Sequence, residues 1–308
     1  MGESVPQSQG SYAYVVSASN ADHFAEMAAI SMASLRCCER SARIVVVLDA
    51  SSAQTPGIDA INGLADEIIR VPLTHPNSIY RSRLLKNTLR TTIAGDFLYL
   101  DSDTFVLRSP SSIWQVDADV AAAPDAGDTG RPYTLTPEQK GEFLRLGWPT
   151  YRGLYLNSGV IMMRDNPVVR SFVNRLDKDW HHFSAELNRY NDQPAFNYAA
   201  RMSEICRDPS VGSLRLQVLP TIWNAQVSMN EALGRRAKIV HLFTGNFEQS
   251  NDTVLHVAAK QLKRTGTINM SLIEGALAAG HIWVALDRPR KLYAAGQYGK
   301  AVLSLLRK

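Results

Sequence analysis

The stretch Phe97-Leu98-Tyr99-Leu100-Asp101-Ser102-Asp103-Thr104-Phe105-Val106 decides how the rest of the chain is read. Its first four residues are an unbroken apolar run of strand length, which fits a strand buried on both faces. Such strands belong to parallel sheets covered by helices on either side. Ligands in those sheets sit beyond the carboxyl ends of the strands, where Asp101 and Asp103 fall. Residues two apart on an extended chain point to the same side, so both carboxylates can face one divalent cation. An Asp-x-Asp after a strand is more commonly a turn or a helix cap, so this segment alone does not establish a site.

Upstream, the periodicity alternates between strand and helix. Tyr12 to Ser17 reads as a buried strand, and Asp22 to Glu39 as a helix with Phe24, Met27, Ala28, Ile30, Met32 and Leu35 at helical spacing. Ile44 to Leu48 is a second strand, ending at Asp49 and a turn-rich Ser-Ser-Ala-Gln-Thr-Pro-Gly. A short third strand is expected at Ile68 to Val71, and one helix over Arg81 to Ile93, stopped by Gly95. The order βαβαβαβ predicts an α/β fold with a mostly parallel, doubly wound sheet and helices on both faces. Downstream, Pro124 to Gly153 reads as a long covering loop, of the kind that serves as a lid. Leu154 to Met163 is an apolar strand interrupted by Asn157-Ser158-Gly159. Helices are expected over Val168 to Leu187 and Gln193 to Met202, short strands at Leu214 to Leu219 and Lys238 to Phe243, and mostly helix from Thr253 onward. There are no internal repeats and no clean inter-domain linker.

Composition excludes other classes. The 308 residues are 45% hydrophobic and 20% charged, which rules out a disordered tail or a collagen-like fibre. Cys37, Cys38 and Cys206 form neither a disulfide framework nor a C-x-x-C metal pattern, as expected of a reducing, cytoplasmic setting. The opening MGESVPQSQG lacks the charged and apolar regions of a signal peptide, and no run is long enough to span a bilayer. The net charge is +4, but from Asp287 onward six basic residues face one acid. The first 286 residues then hold 27 basic and 28 acidic residues, which gives no support to nucleic-acid binding. The basic tail interleaves its cations with Leu292, Tyr293, Tyr298, Val302, Leu303, Leu305 and Leu306. Two readings stay open for it: a peripheral hold on anionic lipid, or a helix packed on the body with a basic outer face.

Three further segments bear on the Asp-Ser-Asp motif. A glycine inside the strand at Asn157-Ser158-Gly159 suggests close approach of a ligand or another backbone, with a β-bulge as the plainer reading. In Asn191-Asp192-Gln193-Pro194, Pro194 suits a first helical turn and Asp192 a cap, which leaves Gln193 without a structural reason. In Ile239 to Gly245, His241 lies inside a short apolar strand. It is either a satisfied core residue or a third metal ligand beside the two carboxylates.

In this order, from Tyr14 to about Gly245, the segments resemble the nucleotide-sugar glycosyltransferases of the GT-A fold, family 8 in particular. The resemblance implies a metal site of Asp101, Asp103 and His241, holding Mn2+ or Mg2+. It implies donor contacts at Ser17 and Ala18 where the first strand meets the nucleoside, at Asp49, and at Ser102. Asn157 matches the sugar-contacting segment, and Asp192 and Gln193 the acidic-amide pair near the transferred sugar. Leu219-Pro220-Thr221-Ile222-Trp223-Asn224 resembles a further family loop. The family follows its histidine with a glycine and a Lys-Pro-Trp; here Gly245 comes one place late and Asn246-Phe247-Glu248 supplies no lysine. Arg83 or Lys86, on the helix before the Asp-Ser-Asp strand, is expected to meet the diphosphate instead, the alternative being a solvated basic helix face.

The implied reaction moves a hexose from a UDP-sugar, UDP-glucose or UDP-galactose, to a hydroxyl of a glycan, lipid-linked or protein acceptor, with retention. Double displacement needs a nucleophile beneath the sugar. Asp192 and Gln193 are the matched candidates and an amide is a poor nucleophile, which favours front-side displacement. Gln193 would then stabilise the oxocarbenium-like centre while Asp192 holds sugar hydroxyls. The expected organisation is a disordered 1–10, a catalytic domain over 11–250 and a helical extension over 251–308. Trp148, Tyr151 and Trp223 are candidates for stacking on sugar rings. A nucleotidyltransferase of related fold and a non-catalytic sugar-nucleotide binder are the alternatives. An aspartate-based phosphatase fits less well, because Thr104 sits three places beyond Asp101 where four is usual.

Overall fold

In the computed structural model, which describes residues 10–126, 131–205, 212–242 and 252–306, the run Ser11–Val16 forms β1. It is followed by α1 (Phe24–Cys38), β2 (Arg43–Asp49), α2 (Pro56–Leu64), β3 (Glu67–Val71), α3 (Ser78–Asn87), α4 (Leu89–Thr92) and β4 (Phe97–Leu100). Then come β5 (Thr104–Val106), β6 (Val120–Pro124), α5 (Pro137–Arg145), β7 (Leu156–Met163), α6 (Pro167–Leu187) and α7 (Gln193–Ile205). The remaining elements are β8 (Leu216–Val218), β9 (Ala225–Gln226), β10 (Ile239–His241), α8 (Val254–Thr265), α9 (Met270–Ala279), α10 (Pro289–Ala294) and α11 (Tyr298–Leu306).

Seven strands form one sheet in the order β3-β2-β1-β4-β7-β6-β8, with β7 antiparallel to both of its neighbours and the other pairs parallel. Both faces are covered, and the strand residues divide between them by parity. Tyr12, Tyr14, Val16, Ile44, Val46 and Leu48 pack with α1, α8 and α9, whereas Ala13, Val15, Val45 and Val47 join α6 and α7 on the other face. Helix starts follow local chemistry. Thr55, Asn77, Thr136 and Asn166 each cap a helix, and Pro56, Pro137 and Pro167 occupy first-turn positions where a missing N–H costs nothing.

A second sheet, β5-β10-β9, stands at the carboxyl end of β4. It is tied to α1, where Ser34 Oγ accepts from Val106 N at 2.9 Å, and Ser31 Oγ lies 2.9 Å from Thr104 Oγ1.

Three expectations change. The helix over Arg81 to Ile93 is two helices, because α3 ends at Asn87 and α4 restarts at Leu89. The covering loop at Pro124 to Gly153 contains α5, set by a capping box between Thr136 and Gln139 and anchored by Phe143 against Trp148, Tyr151 and Tyr198. The strand is not interrupted at Asn157-Ser158-Gly159 but runs on fully buried as β7, with a bulge there: Ala122 to Pro124 on β6 is matched by Ile161 back to Leu156 on β7, so the extra residues lie on β7, as the plainer reading has it. The expected disorder of the N-terminus falls almost wholly on residues outside those described.

Candidate functional site

The carboxyl end of β4 is where the chain concentrates buried charge. Asp101 and Asp103 are brought together by a turn at Ser102-Asp103 rather than by extended chain, since Thr104 N–H and Oγ1 both close on the Asp101 carbonyl, at 3.2 and 2.7 Å. β10 delivers His241 opposite Thr104, and Leu242 N–H donates to the Asp103 carbonyl at 2.9 Å. His241 Nε2 lies 3.1 Å from Asp103 and 3.8 Å from Asp101. The three ligand atoms fall within 4.8 Å of one another. Two carboxylate oxygens and one imidazole nitrogen suit a cation such as Mn2+, so the donor set fits the expected metal. Burial lowers the basicity of His241, but the Asp103 and Asp101 carboxylates outweigh it and raise its pKa.

Gly159 makes this convergence sterically feasible. A Cβ there would stand 2.7 Å from His241 Nδ1 and 2.8 Å from Asp101 Oδ2. The close approach expected at this glycine is thus made by the two ligand side chains, not by another backbone.

Behind the acids sits Lys86. Its ammonium is 2.8 Å from Asp192 and 3.4 Å from Asp101, donates to Ser158 Oγ at 3.3 Å, and its side chain is 5% exposed. Arg83 Nε is 3.2 Å from the other Asp192 oxygen. Burial would raise the Asp192 pKa, yet Lys86 and Arg83 hold it far below the usual carboxylate range. Asp101 is held low against burial in the same way, by Lys86, Arg83 and His241. Burial and the Asp101 charge keep the Tyr99 phenol protonated, and it donates to Asp101.

Of two cavities, the first is lined by residues of this cluster and the second by none of them. One of about 190 Å3 is lined by Val15, Ser17, Phe24, Ser82, Arg83 and the Asp101-Ser102-Asp103 turn. Of the two basic candidates, Arg83 therefore faces this cavity and Lys86 lies behind its wall. The other, of about 410 Å3, lies between α5 and the start of α7, with Tyr133, Gln139, Glu142, Arg189 and Gln193 in its lining. Gln193 Nε2 donates to Asp125 at 2.6 Å, and its carbonyl accepts from Ser158 N–H at 3.2 Å. Asn157 Nδ2 donates to the other Asp125 oxygen at 3.4 Å.

The remaining expected residues are placed as follows. Ala18 N–H donates to Ser52 Oγ at 2.8 Å. Asp49, fully buried, accepts from Ser51 and Ser52 and pairs with Arg81 at 3.3 Å. Its carboxylate orders the loop beyond β2, and neither Ala18 nor Asp49 lines a described cavity. Gly245 lies outside the described residues. Trp148, stacked on Tyr198 at 4.2 Å, and Trp223 are core side chains, while Tyr151 donates to Asn197.

Asp125 and Tyr99 are site residues to which sequence reasoning assigns no role, and Asn224 enters it only as the end of the Leu219 to Asn224 loop. Asp125 follows a buried strand just as Asp101 does, and that is the signal that could have found it.

A model of the nucleotide-diphospho-sugar transferase family matches residues 77–253, more than half of the chain. No curated protein sequence matches directly. Among solved structures, the galactosyltransferase LgtC, in complex with donor and acceptor sugar analogues, is 14% identical at a TM-score of 0.53, over 92% of this chain and 99% of that one. The glycosyltransferase GlyE of Streptococcus pneumoniae is 13% identical at 0.53, over 90% and 66%. The bifunctional glycosyltransferase WbbM is 15% identical at 0.49, and the chain spans 46% of its length. The seven-stranded, mostly parallel sheet covered by helices is thus of the GT-A type. With the Asp101, Asp103 and His241 cluster at the carboxyl end of β4 and the family match running through it, this chain belongs to the nucleotide-diphospho-sugar transferases and is a glycosyltransferase.

Proposed function

We propose that the chain transfers a hexose from UDP-glucose or UDP-galactose to a sugar, lipid-linked or protein hydroxyl, with retention of configuration. The observation that carries this reading is the Asp101, Asp103 and His241 triad, whose two carboxylates line a cavity walled by Arg83. With His241 neutral, Asp101, Asp103 and Asp192 outnumber Lys86 and Arg83 by one negative charge. Asp101, Asp103 and His241 would hold a divalent cation, Mn2+ or Mg2+, whose charge would reverse that sign and supply neutralisation for a departing diphosphate. Arg83 would face the diphosphate from the cavity wall, in the place of the lysine that does not follow His241.

The acceptor hydroxyl is assigned to the larger cavity, because Gln193 lies between that cavity and the Lys86–Asp192 pair. Asp192 is committed to two cations, which blunts it as a nucleophile and supports front-side displacement. Gln193, held by Asp125 and Ser158, would face the anomeric carbon, whereas Asn157, buried and lining no described cavity, would act on the sugar only by holding Asp125. The catalytic domain is assigned to 11–250 and a helical extension to 251–308.

Calorimetric titration with UDP, with and without Mn2+, tests the reading. Metal-dependent UDP binding that disappears in Asp103→Ala is expected, and binding unaffected by metal or by that substitution refutes it.

The tail supports a second, limited proposal. No helix among the described residues is long and apolar enough to cross a membrane. Val302, Leu303, Leu305 and Leu306 on α11 are nevertheless 55–77% exposed, beside Lys300 and, on α10, Arg290. This amphipathic face would hold an anionic bilayer peripherally, consistent with a cytoplasmic protein acting on a lipid-linked acceptor. Leu303→Ser/Leu306→Ser should abolish sedimentation with phosphatidylglycerol vesicles, and equal sedimentation removes the idea.

A further inference from the structure

The side of His241 that faces away from the carboxylates is not free packing. Its Nδ1 lies 2.9 Å from Asn224 Oδ1; Asn224 Nδ2 donates to Asn157 Oδ1 at 2.8 Å; and Asn157 Nδ2 points to Asp125 at 3.4 Å. Asn224 is 1% exposed, Asn157 2% and His241 3%, so water does not compete along this chain.

The direction of every bond in it is fixed. Gly159 N–H donates to Asn157 Oδ1 at 2.8 Å, so that atom must be the oxygen, and the Asn157 amide nitrogen must turn to the carboxylate of Asp125, which only accepts. With an oxygen facing it, Asn224 must present its Nδ2, which leaves its Oδ1 toward the imidazole. His241 must then carry a proton on Nδ1, and Nε2, 3.1 Å from Asp103, is the nitrogen turned to the two carboxylates: a donor to Asp103 without a cation, and the atom that would ligate one. Which imidazole nitrogen is protonated is set by the hydrogen bond the other makes. Asn224 is itself held by backbone: its N–H closes a 3-10 turn on the Thr221 carbonyl at 3.1 Å, directly after Pro220.

We infer that Asn224 is a positioning residue for the metal: through Nδ1 it locks His241 in the tautomer that can ligate and holds the ring at its angle. The inference rests on the metal reading given above and adds the residue that sets the third ligand. An outer partner of this type carries about 10–100-fold in metal affinity. Removing the Asn224 side-chain amide takes the acceptor from His241 Nδ1–H, while Asn157 Oδ1 keeps the Gly159 N–H.

The test uses the full chain and Mn2+ alone, without donor or acceptor. Isothermal titration should show wild type binding Mn2+ and Asn224→Leu binding about 10–100-fold more weakly. Nitrogen-15 spectra of the wild type should show a proton on His241 Nδ1, the nitrogen that faces Asn224 Oδ1. That measurement needs no variant to fold. A His241 Nδ1 without a proton in wild type, or Asn224→Leu binding Mn2+ within twofold of wild type, overturns the inference while leaving the metal site standing. A wild type that binds no Mn2+ overturns both.

Discussion

Replacing Lys86 with Met tests whether the site is held together by charge before any ligand arrives. The ammonium lies 2.8 Å from Asp192 and 3.4 Å from Asp101 with a side chain 5% exposed, so its removal strands two carboxylates that burial already disfavours. At an effective dielectric constant of about 20, the attraction to Asp192 alone is about 6 kcal/mol before desolvation is subtracted. Breaking a buried pair by deleting one partner costs about 3–5 kcal/mol net. Arg83 remains 3.2 Å from Asp192 and shields it, which places Lys86→Met at the lower end, about 3 kcal/mol. Unfolding entropy of about 2.1 cal/mol/K per residue then converts this to a fall of about 5 °C in Tm for the whole chain. Scanning calorimetry of metal-free protein at neutral pH reads it directly. Adding Asp192→Asn to Lys86→Met should return more than half of the loss, because the stranded charge is gone. A Lys86→Met protein melting within 1 °C of wild type, or a double variant no more stable than the single, refutes the counter-ion role.

Gly159→Ala forces a methyl group against His241 and Asp101, and Mn2+ affinity should fall at least about tenfold by titration; unchanged affinity would show that the glycine does not set ligand spacing. Asp192, whose pKa is depressed in the folded protein, stabilises fully above the unfolded carboxylate value of about 4 and loses that contribution as pH falls below it. The Tm of Asp192→Asn should therefore decline less steeply than wild type below about pH 4, and parallel slopes would count against the ion pair. Glu138→Trp, on the α5 rim of the larger cavity, should raise the acceptor KM about tenfold while leaving hydrolysis of the UDP-sugar by water intact. If transfer and hydrolysis fall together, the acceptor lies elsewhere.

The legible parts of the fold were those whose signal is a run. β4 coincides with the Phe97 to Leu100 run, and β1 and β2 follow their apolar runs to within one residue, because a strand buried on both faces reads as a near-continuous apolar run. β5 and β6 carry no such signal. β5 has three residues directly after a turn, and Val-Ala-Ala-Ala-Pro in β6 has little β propensity of its own, held in place by pairing with β7 and β8. α5 does announce itself, in Thr136-Pro137-Glu138-Gln139, but the flanking glycines and prolines outweigh a nine-residue pattern. At the site, the residue types and their order point to Asp101, Asp103 and His241. The Asp125–Asn157–Asn224 chain is out of reach of sequence, because which way an amide faces is decided by a backbone N–H supplied from Gly159.

That dependence on backbone says where the metal site is vulnerable. Neither His241 nor the acid turn is positioned by side-chain packing alone. His241 is placed by the ladder that sets it against Thr104 on one side and Gln226 on the other. Gln226 in turn accepts from Ala126 N–H at 2.8 Å and donates to the Pro124 carbonyl at 3.2 Å, so β9 is bolted to the end of β6 where Asp125 begins. The small sheet therefore carries two strand ends of the large sheet to one place: that of β4, with the acids, and that of β6, with Asp125. Disruption of this sheet has a local signature. Deleting the buried ring of Phe105, whose residue pairs with Val240, should misplace His241 relative to Asp101 and weaken Mn2+ binding out of proportion to the loss of global stability. A large-sheet core substitution of equal thermal cost, such as Ile44→Ala, should leave Mn2+ affinity near wild type. If the two variants lose metal affinity equally, the small sheet is ordinary core and the ladder does not set the site.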